Sequence, residues 1–236
     1  MTGRYYYLLT LLPALPELGR FVEVDNVFEQ IRLEGDSNVC LLADLLEAEE
    51  KIVQVASERF VEQNPGFKGQ FPDSIPDSFV ELVNESEILK EADWLDAVYP
   101  QWFALLDQFS AATGSRLVSK WARRECTLRV QLQIHRMKNE NISVDTDAIT
   151  PEFIRQEGFV EDFSDVIQTY YSIDNPMTAE KYLDQFRVDF LRQSAQQYSF
   201  SIDELVAYML ELRTHKRYSI MSPEKGRKIL KEVTTL

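Results

Sequence analysis

The apolar residues of this chain recur mainly at intervals of three and four positions, the spacing that places side chains on one face of an α-helix. The clearest case runs from residue 116 to residue 139. The positions that share one face there, at spacings of 4, 7, 4 and 3, are Leu117, Trp121, Leu128, Leu132 and His135. The pattern predicts a long helix over 116–139 with Leu128 on its buried side.

A second long helix is predicted after a capping residue, Asp36 or Ser37, and runs to about Phe60. Its predicted apolar stripe consists of Val39, Leu42, Leu45 and Leu46, and its predicted water-facing residues are Glu47, Glu49 and Glu50. The further predicted helices span 24–32, 77–86, 91–112 with an interruption or kink near Pro100, and 178–197 with Leu183, Phe186 and Phe190 on one face. Others start at Thr150–Pro151, at Ser201 with a capping box to Glu204 ahead of Leu205, and at Ser222–Pro223.

Residues 5–12 are aromatic and aliphatic without polar alternation, and periodicity leaves a buried strand and a buried first helix equally open. Only 8 glycines occur in 236 residues, which disfavours a turn-dense β architecture. We therefore predict an all-α fold, a multi-helix protein of stacked small bundles. Residues 1–236 are interpreted as a single helical unit, with candidate hinges between subdomains at the proline-rich and glycine-rich segment 64–78 and at 139–150.

The formal net charge of −14 and the isoelectric point near 4.7 argue against nucleic acid as a partner, because binding to phosphates requires a basic surface. The charge is uneven along the chain. Residues 1–115 hold 21 acidic and 7 basic side chains, whereas residues 116–236 hold 18 of each. This uneven distribution of charge suits a protein that binds partners of different charge, and a well-solvated acidic face accounts for it equally well.

Two basic clusters stand out against this acidic background. The first lies within 116–138 and contains seven basic residues and one acidic residue, Glu125. The second lies within 213–231 and contains seven basic residues and one acidic residue, Glu224. Such clusters either dock an acidic protein surface or compensate the acidic N-terminal half within the fold, and the sequence leaves both open. The candidate partner-binding residues are Arg116, Lys120, Arg123, Arg124, Arg129 and Arg136. Reversing Arg123 and Arg124 to glutamate is expected to weaken partner binding while leaving the fold nearly intact.

The short motifs that resemble catalytic signatures are each better explained as structure. Gly35-Asp36-Ser37 resembles the nucleophile block of one esterase class, but a helix precedes it and neither histidine follows a DxxH pattern, so it is interpreted as a helix cap. Ser222 opens an SxxK string without the accompanying SDN or KTG motifs. We predict a protein that is not an enzyme and has no cofactor.

Metal and phosphate sites are not expected either. Leucine, not glutamate, stands three positions before His135 and before His215, so the paired ExxH pattern of dimetal helix bundles is missing. The glycines are too scattered for a phosphate-binding loop. His135 is predicted to be partly buried and His215 to belong to a basic surface.

The two cysteines, Cys40 and Cys126, show no metal-binding spacing and are interpreted as small core residues in a reducing compartment. The N-terminal apolar stretch resembles a short signal sequence, but Pro13 and Pro16 stand where small cleavage-site residues belong. No apolar run approaches the ~20 residues that span a bilayer. We expect a cytoplasmic protein that meets the membrane only through partners.

Three segments together resemble one known family. They are YYYLLTLLPALP at residues 5–16, WARRECTLRVQLQIHRMKNENI at 121–142, and FLRQSAQQYSFSIDELVAYMLELRTHKRYSIMSPEKGRKILKEV at 190–233. The chain is similar there to uncharacterised proteins encoded in bacterial V-type ATPase operons, which resemble the C subunit of that enzyme.

The resemblance implies an all-helical socket of small bundles, seated on the membrane rotor ring and gripping the central shaft. Its implied role is mechanical: it couples the rotor shaft to the ring and hydrolyses nothing itself. The implied partners are the shaft and ring subunits of the ATPase, and the implied location is cytoplasmic and peripheral to the inner membrane. Two alternatives remain at this point, a cytoplasmic protein–protein adaptor unrelated to the ATPase and an enzyme with an unfamiliar helical active site.

Overall fold

The regular secondary structure of the chain is helical throughout the part that the computed structural model describes, residues 5–20, 22–85, 91–143, 146–150, 154–155 and 161–220. No strand occurs among these residues, so the predicted all-α class is confirmed. The helices are α1 Tyr6–Leu11, α2 Val24–Glu34, α3 Ser37–Ala56, α4 Asp77–Asn84, α5 Glu91–Thr113, α6 Arg116–Asn139, α7 Thr146–Ile149, α8 Ser164–Ser172, α9 Pro176–Ser194 and α10 Ile202–Ile220.

The chain divides into two compact units. The first consists of Met1–Cys40 and Asn175–Leu236, and the second of Leu41–Asp174. Within the first unit α10 packs against α2 and α9. Within the second unit α5 packs against α4 and α6, and α6 also packs against α8. Both candidate hinge segments, 64–78 and 139–150, lie inside the second unit, and their role as hinges stays a prediction.

The corner between α2 and α3 follows from two neighbouring residues. Asp36 caps α3, because its Oδ1 accepts hydrogen bonds from the backbone N–H groups of Asn38 and Val39, both at 3.1 Å. At Gly35 a Cβ atom would lie 2.5 Å from the carbonyl oxygen of Ile31 and 2.6 Å from Cγ1 of Val39. Only glycine fits this approach. The interpretation of Gly35-Asp36-Ser37 as a helix cap is confirmed.

Helix α6 begins and ends where the sequence pattern predicts. Gly114 has a φ of +74°, and the hydroxyl of Ser115 then accepts a hydrogen bond from the N–H of Val118 at 3.4 Å, which caps the helix. Leu117, Trp121 and Leu128 are buried as expected. The last predicted members of the face, Leu132 and His135, are only half-buried, so the C-terminal half of the helix leaves the core of the unit.

The core of the second unit is built around two fully buried tryptophans, Trp94 and Trp102 of α5. Each indole N–H is satisfied by a backbone carbonyl: Trp94 donates to Val83 at 3.2 Å and Trp102 donates to Leu45 at 2.9 Å. Burying such a large side chain contributes about 2–3 kcal/mol from apolar area alone, provided that its polar group finds a partner. These contacts fasten α4 and α3 to α5.

Helix α3 passes into a π-helical turn, Ser57–Val61, which carries a buried arginine. Arg59 donates hydrogen bonds to the carbonyl oxygens of Phe67 at 3.0 Å, Val83 at 3.1 Å and Glu85 at 2.8 Å. Burial lowers the pKa of this guanidinium. The arginine thereby ties the loop after α3 to the C-terminal end of α4, where the helix dipole favours a cation.

Several element boundaries differ from the sequence prediction. Within residues 5–12, Tyr6–Leu11 form a helix, α1, which resolves the open choice between strand and helix. The prediction that this element is buried is wrong, because Tyr6, Tyr7 and Leu11 are exposed. Helix α5 continues through Pro100 without interruption, and the alternative of a kink at this position stays a prediction. Helix α9 starts two residues before Thr178, because the Oδ1 of Asn175 accepts from the N–H groups of Met177 and Thr178 and Pro176 occupies the first helical position. The sequence prediction missed α8 altogether.

None of the described helices is long and apolar enough to cross a bilayer. Two predicted helix starts involve residues outside the described part of the chain, Pro151 in one case and Ser222–Pro223 in the other. The members of the second basic cluster beyond residue 220 also lie outside it: Lys225, Arg227, Lys228 and Lys231.

Candidate partner-binding surface

The six candidate partner-binding residues of α6 occupy three different environments. Arg116, Lys120 and Arg136 are exposed, Arg123 and Arg129 are half-buried, and Arg124 is buried. Because each residue advances about 100° around a helix, Arg136 lies roughly 200° from Arg116 and on the other side of α6. The six residues therefore do not form one continuous surface.

Arg124 serves the interior of the second unit. Its Nε donates a hydrogen bond to Oε2 of Glu161 at 2.9 Å, and its guanidinium lies 5.1 Å from the centre of the Phe163 ring. Gln131 strengthens the same junction, since its amide nitrogen donates to the carbonyl of Glu161 at 2.8 Å and its oxygen accepts from the N–H of Phe163 at 2.9 Å. Together these contacts hold the start of α8 against α6.

Arg129 also pairs within the fold. Its Nη2 lies 2.7 Å from Oε1 of Glu49 on α3, its Nε lies 2.9 Å from Oε1 of Glu125, and its guanidinium lies 4.5 Å from the centre of the Tyr99 ring. Burial lowers the pKa of Arg129, but the two carboxylates outweigh that effect and hold the pKa well above its ordinary value.

The prediction that Glu49 faces water is wrong. Its exposed fraction is only 2%, because its position on α3 brings it between buried apolar residues and its charge is met by Arg129. Glu47 and Glu50, the other two glutamates of the set, are half-buried. Arg129 thus compensates an acidic residue of the N-terminal half, Glu49, whereas Arg124 pairs within the fold with Glu161, which lies outside that half.

The remaining cations at the start of α6 form what we call the N-terminal basic face, Arg116, Lys120 and Arg123. These residues stand at positions i, i+4 and i+7 and so share one side of the helix. Asp107 of α5 borders the face: its Oδ1 lies 3.9 Å from Nη2 of Arg123 and accepts the hydroxyl of Ser119 at 2.7 Å. Two of the three basic side chains remain exposed beside it, so the face can meet an acidic surface.

A pocket of about 330 Å³ lies between α5 and α6, on the side of Arg129 and Arg136. Its walls are largely apolar and include the rings of Tyr99 and Phe103. Asp96 and Cys126 also line it. Burial, with help from Asp93, raises the pKa of Asp96, and burial raises the pKa of the Cys126 thiol to about 12. A thiol with that pKa stays protonated at neutral pH and is a poor nucleophile.

The two histidines lie in different settings. His135 is half-buried as predicted, and its ring stacks on Tyr171 with a centre-to-centre distance of 4.6 Å. The prediction that His215 belongs to a basic surface is wrong, since its side chain is fully buried in the first unit. Among the described residues no group of three or more His, Cys, Asp or Glu side chains could hold a metal ion.

Near His215, two helices of the first unit are joined by an ion pair between Arg192 of α9 and Glu211 of α10. Nε2 of His215 lies 3.9 Å from Oε1 of Glu211, beyond hydrogen-bonding distance. Burial raises the pKa of Glu211, but His215 and Arg192 together outweigh it and hold that pKa below its ordinary value.

A second junction of α9 and α10 surrounds Asp184, which is 1% exposed. Its Oδ1 accepts from Nη1 of Arg187 at 3.0 Å and from Nη1 of Arg217 at 2.9 Å, and its Oδ2 accepts the hydroxyl of Tyr218 at 3.1 Å. Arg217 belongs to the second basic cluster, so that cluster also contributes to charge compensation within the fold. The local sequence contains one of these partners, Arg187, but Arg217 and Tyr218 stand 33 and 34 positions away from Asp184.

Comparison with known proteins identifies one similarity. Residues 147–236 match the family model described as "Protein of unknown function (DUF2764)". This region includes α8, α9 and α10 and excludes the basic residues of α6. No curated protein and no solved structure matches the chain.

Proposed function

We propose that this chain is a non-catalytic central-stalk component of a bacterial V-type ATPase or ATP synthase, similar to its C subunit, which couples the rotor shaft to the membrane ring. The proposal places it in the cytoplasm, at the inner membrane through the ATPase complex. The resemblance of residues 5–16, 121–142 and 190–233 to that family is its starting point, and the following structural observations support it.

The observation that carries the proposal is that the segments with this resemblance supply the central helices of both units. Helix α6 packs against α5 and α8, and helix α10 packs against α2 and α9. The resemblance therefore concerns residues that determine the fold, and the fold class it implies is the one observed.

The charges of the described chain also suit a mechanical coupling role. Ion pairs between an arginine and a buried carboxylate join α6 to α3 through Arg129 and Glu49, and α9 to α10 through Arg217 and Asp184. Such pairs resist separation, because removing the arginine leaves an uncompensated carboxylate in the interior. A subunit that transmits torque needs helices that keep their relative positions within each bundle under load.

The N-terminal basic face is the surface that we assign to a partner in this proposal. Arg116 and Lys120 are exposed, while Arg124 and Arg129 are engaged inside the second unit. Charge pairs at the edge of an interface raise the association rate and favour one orientation of the partner. We infer that an acidic surface of the shaft or of the ring lies against Arg116 and Lys120.

The test is purification of the tagged full-length protein from its native membranes at low salt, followed by mass spectrometry of the recovered proteins. Recovery of ATPase shaft and ring subunits in stoichiometric amounts supports the proposal. A parallel purification of the Arg116→Glu/Lys120→Glu variant should recover fewer of them. Recovery of none of these subunits with the wild-type protein at low salt would remove the proposal.

The second candidate function is that of a cytoplasmic adaptor unrelated to the ATPase. The uneven distribution of charge along the chain is the observation that favours it. Residues 1–115 carry the whole net charge of −14, whereas the exposed cations of α6 lie in the balanced half. An adaptor could use both surfaces at once. The same purification distinguishes the two, since an adaptor would be recovered with proteins other than ATPase subunits.

A further inference from the structure

An open groove of about 670 Å³ runs along the first unit, and no step of the proposed function uses it. One wall comes from α1 and the segment that follows it, the other from the connection 195–201 and from α10. The apolar residues that line it are Tyr6, Leu9, Leu12, Pro13, Ala14, Leu15, Ala195, Tyr198, Phe200, Ala207 and Tyr208. We call it the aromatic groove.

The groove exposes large apolar side chains that a solvent-facing surface would not need. Tyr198 is 80% exposed and Tyr6 is 56% exposed, both on the lining. Next to them on α1, Tyr7 is 63% exposed and Leu11 is 39% exposed, at positions i and i+4 of one helix face. A cluster of exposed apolar side chains indicates a binding surface, whereas isolated exposed apolar residues do not.

The two walls are fastened to each other, so the groove exists before any partner arrives. The N–H of Tyr5 donates to the carbonyl of Phe200 at 3.3 Å, and the hydroxyl of Tyr208 donates to the carbonyl of Pro13 at 2.9 Å. The rings of Tyr6 and Phe200 pack edge to face with their centres 4.7 Å apart. A preformed groove loses little conformational entropy on binding.

Backbone strain is stored in the second wall. Tyr198 and Phe200 have φ values of +60° and +50°, which are unfavourable for bulky side chains. Glu204 offsets this cost, because its carboxylate accepts the N–H of Tyr198 at 2.8 Å and the N–H of Phe200 at 2.6 Å. This conformation keeps Tyr198 exposed at the edge of the groove.

The charges of the groove determine the chemistry of its occupant. Three charged residues line it, and each is already engaged: Arg192 pairs with Glu211, and Glu204 holds the two strained N–H groups. The uncharged polar residues Thr10 and Gln197 also line the groove, and a charge entering it would lose hydration without gaining a counter-ion. The lining therefore favours an uncharged apolar occupant.

We propose that the aromatic groove is a docking site for an uncharged, apolar segment of a partner protein. A lipid surface fits less well, because the groove is concave and the chain's net charge of −14 is repelled by anionic headgroups. This proposal does not depend on the ATPase assignment, since the groove belongs to the first unit and the N-terminal basic face belongs to the second.

The test uses the full-length protein and a short acetylated and amidated peptide of leucine, alanine and glutamine as an uncharged helical probe. A second peptide carries glutamate in place of one central leucine. In isothermal titration calorimetry the uncharged peptide should bind at a single saturable site. The charged peptide should bind at least about tenfold more weakly.

The decisive variant is Ala14→Trp, which fills the groove from an exposed position and leaves the core untouched. It should weaken binding of the uncharged peptide by at least about tenfold, whereas Ala111→Trp, the same change at an exposed site of α5, should alter it by less than about twofold. Thermal melts of both variants verify that they fold.

Four outcomes would overturn the proposal. They are no saturable binding of the uncharged peptide, equal binding by the Ala14→Trp variant, self-association of the wild-type chain in light scattering that Ala14→Trp abolishes, and binding to phosphatidylcholine vesicles that Ala14→Trp abolishes. The third outcome would assign the groove to a second copy of this chain, and the fourth to a lipid surface.

Discussion

Arg129 and Glu49 form an ion pair of 2.7 Å that joins α6 to α3 across 80 residues of sequence. Glu49 is 2% exposed, and Glu125, the second carboxylate on Arg129, is 4% exposed. The guanidinium thus pairs with two carboxylates that are almost fully buried. Their burial costs several kcal/mol unless a cation and hydrogen bonds offset it.

Arg129→Met should therefore destabilise the protein by about 3–5 kcal/mol in urea unfolding at pH 7, since it leaves two buried carboxylates without a cation. The control is Arg136→Met, which removes an exposed arginine from the same side of α6 and should cost less than about 0.5 kcal/mol. Adding Glu49→Gln to Arg129→Met should recover part of the loss. Equal stability of the two single variants would show that the pair does not stabilise the fold.

Leu128→Asp tests the buried face of α6. Leu128 is 1% exposed, so the new carboxylate would have neither water nor a partner, and the free energy of unfolding should fall by at least about 3 kcal/mol. Leu33→Asp is the matched control, because Leu33 of α2 is 81% exposed and the same substitution there should change stability by less than about 0.5 kcal/mol. An unchanged melting temperature for Leu128→Asp would refute the assignment of the helix faces.

From the Arg192–Glu211 ion pair we predict that the free energy of unfolding depends on pH. The pKa of Glu211 in the folded protein is lower than its unfolded value, so the unfolded state binds more protons in acid and stability falls as the pH decreases. Glu211→Gln should cost about 1–2 kcal/mol at pH 7, since Arg192 is partly exposed, and the difference from wild type should shrink as the pH falls from about 4.5 toward 3. Urea unfolding across this range measures it. A difference that is constant with pH would contradict the assigned role of Glu211.

Thiol reactivity distinguishes the two cysteines. Cys126 is 3% exposed and its pKa is raised to about 12 by burial, so iodoacetamide at pH 8 should modify it roughly 10³-fold more slowly than an accessible thiol. Cys40 is half-buried, with its Sγ 3.5 Å from the carbonyl oxygen of Arg32, and should react first. Mass spectrometry of the alkylated native protein gives both rates. Faster modification of Cys126 than of Cys40 would mean that the pocket beside α5 opens readily.

Local sequence signals were sufficient where the determining contacts are local. The caps at Asp36 and Ser201 lie within four residues of the groups they satisfy, and the helices that follow were predicted from them, whereas α6 was predicted from the periodicity of its own apolar residues. Local signals did not predict that α5 continues through Pro100. The rings of Trp102 and Trp121, whose centres are 6.0 Å apart, pack together and support this helix through a contact with α6.

Long-range pairing is what the sequence did not reveal. Glu49 was expected to face water, but it is buried and pairs with Arg129, which stands 80 residues away. His215 was expected on a basic surface, but the packing of α10 buries it. Long-range pairing also divides the candidate partner-binding residues of α6. The local excess of basic residues identified the cluster on α6, but only the positions of Glu161 and Glu49 separate Arg124 and Arg129 from Arg116 and Lys120.

The burial of Arg124 also changes what charge reversal should do. Arg124→Glu would place a carboxylate opposite Glu161 inside the second unit and destabilise the fold, contrary to the expectation from sequence. Arg116→Glu/Lys120→Glu changes exposed positions only and should leave the melting temperature nearly unchanged. This second variant therefore separates binding from folding.

The most direct measurement is titration of the purified full-length chain against purified V-type ATPase shaft subunits at low and at high salt. We expect saturable binding that weakens with salt and that falls by about tenfold in Arg116→Glu/Lys120→Glu. Lys68→Glu/Lys181→Glu, which makes the same change in net charge at exposed sites elsewhere, should bind nearly as wild type does. Absence of binding to the shaft at low salt by the folded wild-type protein would contradict the assignment of this chain to the ATPase stalk.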